Sequence, residues 1–152
     1  MAMNKNDVRQ IIKTTLLYID KYSEDAEELL MLTAAVESGL GTYMYQVNGP
    51  ARGIFQMEPA TENDCWKNYL NLRNDAYIEK IKNLKFSGLD NLPYNLAYQV
   101  ALCRVHCLRV TEAIPPKTDV KALAEYWKKY YNTVKGKGTV DKAVKEYKRL
   151  VL

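Results

Sequence analysis

The sequence predicts a mainly α single domain with one small β-hairpin, and three observations predict it. Apolar residues recur at three- and four-residue intervals through most of the chain. Capping residues and glycine or proline breakers stand at the ends of those stretches. The segment that breaks the rhythm, around Val47-Asn48-Gly49-Pro50, is a turn signal between two short runs. A chain of 152 residues is long enough for one sizeable core, and no linker-like stretch divides it, so residues 1–152 read as one domain.

Taken in order, residues 7–21 place Val8, Ile11, Ile12, Thr15, Leu16 and Ile19 on one stripe, an amphipathic helix that should pack on the next one. Ser23 followed by Glu24, Asp25 and Glu27 reads as an N-cap with an acidic first turn, which suits the positive end of a helix dipole. Gly39 and Gly41 stop that second helix. Residues 43–47 and 53–57 flank the turn and should form the hairpin. Pro59 opens a helical stretch through Trp66 to Leu72, and another covers 75–84, before Gly88 and Asp90-Asn91 break the pattern. From Pro93 the apolar series Leu96, Val100, Cys103, Cys107 and Val110 carries a central core helix on to Ile114, where Pro115 and Pro116 end it. Thr118 or Asp119 caps a helix with Val120, Leu123, Ala124, Trp127 and Tyr131 on one face, and a last helix starts near Thr139.

Within this frame Glu37 stands out. Leu29, Leu30, Thr33, Val36 and Glu37 recur at helical spacing, so Glu37 prolongs an apolar stripe and its carboxylate points inward. It also occupies the last turn, where the dipole is negative. Burial and dipole both oppose ionisation, and a carboxyl group held neutral near neutral pH is what protonation of a glycosidic oxygen requires.

Other chemistries are disfavoured. Cys65, Cys103 and Cys107 are odd in number and lack paired spacing, so they read as buried thiols. Cys103, His106 and Cys107 share a helix, but His106 is the only histidine and a fourth ligand is missing, so no metal is expected. Lys135-Gly136-Lys137-Gly138-Thr139 lacks the spacing of a phosphate loop. No apolar run is long enough for a membrane span, and Met1-Ala2-Met3-Asn4-Lys5-Asn6-Asp7 lacks the hydrophobic region of a secretory leader. Charge is uneven: from Ile114 onward the net charge is +6, against −2 for the preceding residues, within a total of +4. Such a basic flank suits an anionic polymer such as the cell wall, with nucleic acid as the rival partner that is not expected here. Twelve tyrosines and two tryptophans offer rings for stacking on sugars, and Tyr43, Tyr45, Tyr126 and Trp127 are the candidates for lining a groove.

The pair Glu37-Ser38 at the end of a helix and Gly53-Ile54-Phe55-Gln56-Met57 one loop later resembles the signature of the lytic transglycosylases and goose-type lysozymes. The resemblance implies a lysozyme-like helical domain with the hairpin beside a substrate cleft, Glu37 as the catalytic acid, and Ser38, Gly53, Gln56 and Met57 as substrate-binding residues. It places a family Tyr-Asn pair at Tyr131-Asn132, with Ala97-Tyr98-Gln99 as an earlier candidate that lacks the Asn, and a last tyrosine at Tyr147. Only Glu37 has a motif around it; Glu58, Glu62 and Asp64 read as structural acids. The implied activity is cleavage between N-acetylmuramic acid and N-acetylglucosamine in peptidoglycan, without metal or cofactor. Glu37 protonates the glycosidic oxygen and then takes a proton from the sugar's C6 hydroxyl, leaving a 1,6-anhydro end. A hydrolytic muramidase of the same fold and a non-catalytic glycan-binding virion component stand as alternatives. A monomer is expected, made in the cytoplasm and brought to the wall by lysis-linked release or inside a bacteriophage particle.

Overall fold

A computed structural model describes residues 1–152. Helix α1 (Lys5–Tyr18) starts two residues before the expected point, because Asn4 accepts hydrogen bonds from the backbone N–H groups of Asn6 (2.9 Å) and Asp7 (3.2 Å). Its stripe Val8, Ile12, Thr15 and Leu16 is buried, with Ile19 just beyond. Helix α2 (Glu24–Ser38) is capped as the sequence requires: Ser23 Oγ accepts from Ala26 N at 3.0 Å, and Gly39 closes the helix in the left-handed region at φ 60° and ψ 43°. Apart from its first turn, α2 is buried on almost every side.

The expected hairpin does not form. Residues 43–57 contain only two isolated antiparallel bridges, Tyr45 with Arg52 and Arg52 with Met57. The turn lies where it was expected, with Asn48 at φ 56°, but Gly53 (φ 84°) and Gln56 (φ 49°) also take left-handed backbone. Two such residues within four interrupt the extended conformation that a ladder needs, so the chain folds back on itself at Arg52 and pairs it on both sides.

Pro59 opens α3 (Pro59–Asn68) at its first turn, and a short 3₁₀ turn, Leu70–Leu72, replaces the expected continuation of that helix. Helix α4 (Ala76–Leu84) matches its expected span. The long helix expected from Pro93 to Ile114 is split and shortened into α5 (Asn91–Tyr94) and α6 (Leu96–Leu108). Asn95 leaves helical geometry at φ −120° and caps the second piece through Tyr98 N, at 3.0 Å. At the far end the Arg109 guanidinium reaches Asp64 Oδ2 (2.7 Å), and the chain beyond it carries no regular secondary structure up to the prolines. Helix α6 is buried along its length, as expected of a core helix, and touches α1, α2, α3, α4 and α5. All three cysteines are free and buried.

Asp119 caps α7 (Val120–Tyr126) by accepting from Ala122 N at 3.0 Å, and α7 runs into a π-helical turn, Trp127–Asn132. Thr139 caps α8 (Val140–Leu150), which lies along α2 and α7. The molecule is thus mainly helical, with α2 and α6 at its centre. No helix is long and apolar enough to cross a membrane.

Candidate active site

Three pieces of chain converge at the C-terminal end of α2: its last turn, the loop 53–57 and the π-helical turn. Ser38 ties the first two together. Its hydroxyl donates to Ile54 O (2.6 Å) and accepts from Gly41 N (2.9 Å). Tyr131 ties the second to the third, donating from its hydroxyl to Phe55 O at 2.5 Å. The link from the third back to the first is Trp127, whose indole N–H donates to Glu37 Oε2 at 2.9 Å.

Glu37 is half-buried, and none of the ion pairs of the molecule includes it. Burial pushes its carboxyl up to about 7, against the Trp127 hydrogen bond and the field of Lys142, which pull the other way. The Tyr43 hydroxyl donates to the backbone oxygen of Glu37 at 2.8 Å, and burial beside the Glu37 carboxyl keeps this phenol above its ordinary range, hence a neutral donor. An acid in this state can give a proton near neutral pH and then hold the resulting charge on a carboxylate already facing one N–H.

Several residues expected to touch substrate face protein instead. Ser38 is fully enclosed and Met57 is 5% exposed within the core, so Ser38 is a positioning residue and Met57 a packing one. Gly53 permits close approach, but to protein: a Cβ there would lie 2.7 Å from Gln99 Cδ and 2.8 Å from Leu92 O. That closeness lets Gln99 Oε1 accept from Ile54 N at 2.8 Å, fastening the loop to α6. Gln56 is half-buried in the same loop. Its Nε2 donates to Gly53 O (2.9 Å) and Met44 O (3.4 Å), which fixes the amide, and its carbonyl oxygen accepts no hydrogen bond from the protein. Tyr131 is partly exposed with its hydroxyl committed to the loop, and burial with the nearby thiols and Glu37 holds that phenol well above its usual range. Asn132 is engaged elsewhere: its Oδ1 accepts from Lys128 Nζ (2.7 Å), which also donates to Gly136 O (3.1 Å), so this side chain shapes the loop before α8.

The remaining candidates separate cleanly. Tyr98 is a satisfied core residue that accepts from Trp66 Nε1 (2.8 Å) and donates to Glu62 Oε2 (2.6 Å), which also accounts for Glu62. Asp64 pairs with Arg109. Tyr147 is buried, and its phenol is pushed up to about 12 by burial and by Glu28, far along α2 from Glu37. Of the expected groove aromatics, Tyr43 and Tyr45 are exposed, whereas Tyr126 and Trp127 are buried. Trp127 acts on the site through its N–H alone. The sequence carries the indole on an apolar face but holds no sign that it meets Glu37 across 90 residues of chain.

Two concavities of about 420 and 340 Å³ lie elsewhere, one beside Tyr69 and Arg73, the other beside Arg104 and Glu112. The acidic group with a raised affinity for its proton is outside both, and chemistry weighs more than volume in locating a site. Comparison with known families, with curated proteins and with solved structures finds no match to this chain.

Proposed function

We propose that this protein cleaves peptidoglycan as a lytic transglycosylase, with Glu37 as the single acid and base. The observation that carries the reading is an unpaired carboxyl, raised to about 7, at the end of α2 beside the loop that presents Gln56. In the first half of the reaction the neutral Glu37 gives its proton to the oxygen leaving C1 of N-acetylmuramic acid. The carboxylate so formed then takes the proton of the same sugar's C6 hydroxyl as that oxygen closes on C1. The carboxyl is regenerated and the product is a 1,6-anhydro end. Because Oε2 already accepts the Trp127 N–H, the proton resides on Oε1. The Gln56 carbonyl oxygen orients the sugar, and the sugar's own N-acetyl group supports the positive charge that develops at C1. No cofactor enters this route. The basic chain from Ile114 onward holds the enzyme on an anionic wall, reached by release at lysis or from within a virion.

The test is mass spectrometry of the fragments released from purified peptidoglycan by the wild type and by Glu37→Gln. Muropeptides with 1,6-anhydro ends from the wild type alone are the expected result. Reducing muramic ends would replace the transglycosylase with a hydrolytic muramidase. No fragments from either protein, with glycan still retained, would replace the enzyme with a glycan-binding structural component.

A further inference from the structure

Beyond Glu37 the loop carries a second set of groups that the reaction does not use. Tyr43 and Tyr45 alternate along it, 42% and 47% exposed, and Tyr94 at the end of α5 is 59% exposed. The hydroxyl of Tyr45 donates to that of Tyr94 at 2.8 Å, and the two rings meet edge to face with centroids 6.5 Å apart. A bond between phenols fixes both rings, so little side-chain freedom remains to be lost when a ligand stacks on them. Arg52, the bridge partner of Tyr45, holds its guanidinium 4.8 Å from the centre of that ring. Its Nη1 donates to Gly49 O (2.9 Å) and Ala51 O (2.8 Å), while Nε and Nη2 make no hydrogen bond and no carboxylate pairs with the group. Asp90, the acid whose field reaches Tyr45, is occupied in capping α5 through Leu92 N. A cation anchored on one edge, with unused planar donors on the other, is a prepared carboxylate acceptor.

On the reading that Glu37 cuts peptidoglycan, we propose that Arg52, Tyr45 and Tyr94 form a subsite for a carboxylate-bearing amino-sugar unit, continuing from the acid along Tyr43. The pyranose stacks on one ring of the edge-to-face pair and its carboxylate accepts from Arg52. This makes the groove selective for muramic-acid glycan over chitin, which offers the same N-acetyl sugars without the acid. The carboxylate has two sources: the free lactyl group of a peptide-stripped strand, or the acidic stem peptide of an intact one.

The experiment uses the full chain carrying Glu37→Gln, so that ligands survive, and measures calorimetric affinity for chitotetraose, for a peptide-free muramic tetrasaccharide and for its peptide-bearing form. Adding Arg52→Gln should weaken at least one muramic ligand about tenfold, the worth of a charge-assisted hydrogen bond, and leave chitotetraose within about twofold. Whichever muramic ligand responds identifies the source of the carboxylate. Arg52→Lys, which keeps the charge and loses the planar donors, should recover only part of the loss. Tyr45→Ala should weaken all three ligands. Chitotetraose is also the internal control for a damaged loop: equal loss for neutral and acidic ligands from Arg52→Gln, or no loss at all, overturns the proposal. Cleavage by the wild type is scored separately, so a Glu37-dependent enzyme indifferent to Arg52 would retain its activity and lose this subsite.

Discussion

The two ends of α2 treat buried glutamates in opposite ways. At the N-terminal end Glu27 and Glu28 are nearly enclosed, with side chains 11% and 13% exposed, and both are answered. Arg9 donates to Glu27 Oε2 (2.7 Å) and to Glu28 Oε2 (2.9 Å), Tyr22 donates to Glu27 Oε1 (3.0 Å), and the helix dipole there favours negative charge. At the C-terminal end Glu37 has one neutral N–H, no paired cation and an unfavourable dipole. The first arrangement pairs both side chains with a cation and fastens α1 to α2; the second leaves a carboxyl that retains its proton. Burial is common to both ends. What separates a structural acid from a candidate catalytic one is whether the fold supplies a counter-charge.

The comparison can be broken most forcefully at Glu37 itself. Glu37→Gln should lower peptidoglycan cleavage about a thousandfold, within the range that general acid catalysis contributes. Cutting Arg9 back to Ala should have the converse effect. It leaves two carboxylates without their cation and should destabilise the fold by about 3 kcal/mol in denaturant titrations, the partial exposure of the Arg keeping the loss at the lower end for a broken buried pair. Activity per folded molecule should be unchanged, because Arg9 lies at the other end of the helix.

Glu37→Gln also makes a stability prediction with a definite sign. A carboxyl whose pKa rises from 4.5 in the unfolded chain to about 7 in the fold is protonated in both states below pH 4.5. Between those values the folded state binds more protons than the unfolded one, so stability falls as pH rises and the penalty is complete above 7. The glutamine carries no such penalty. The variant should match the wild type in urea titrations at pH 4 and exceed it at pH 8 by roughly 3–3.5 kcal/mol, from about 1.4 kcal/mol per unit of pKa. Equal stabilities at both pH values would mean that Glu37 is as well solvated as a surface acid.

The smallest effect belongs to Trp127→Phe. Losing the N–H removes what favours the carboxylate, so the acid should stay protonated to higher pH. The alkaline limb of the kcat/KM profile should move upward by about half a unit to one unit, which corresponds to the roughly 1 kcal/mol of one hydrogen bond. A change in rate with no movement of the limb would reduce Trp127 to packing.

The legibility of the molecule followed the range of the forces involved. The caps at Ser23, Asp119 and Thr139, the stop at Gly39, Pro59 at a helix start and the apolar stripes of α1, α2 and α6 all depend on interactions within a few residues, and each forms where the residues require it. The hairpin failed for a reason that alternation cannot express. Gly53 packs against Gln99 and Leu92 with its backbone in the left-handed region, a tertiary contact that an extended strand with a side chain at this position would not fit. The split at Asn95 has a similar cause: its amide donates to Leu84 O at 2.6 Å, so α5 and α6 bend around the end of α4.

For the site, helix periodicity and the glycine stop determined that Glu37 would end a buried helix, while the grouping of Ser38, Gly53 and Gln56 with it was what the resemblance to the transglycosylase signature implied. The sequence could not determine that Ser38 and Gly53 face protein, that Asn132 is held by Lys128, or that Trp127 is the group that meets the acid. The Trp127 contact depends on how α7 and its π-helical turn dock on α2, and the enclosure of Ser38 and Gly53 on how the loop packs against α2 and α6. Both bring together residues far apart in the chain, whereas the Lys128–Asn132 bond is set within the π-helical turn itself. Local chemistry made Glu37 a carboxyl at a helix end; only the packing around it removed water, withheld a cation and raised its affinity for a proton.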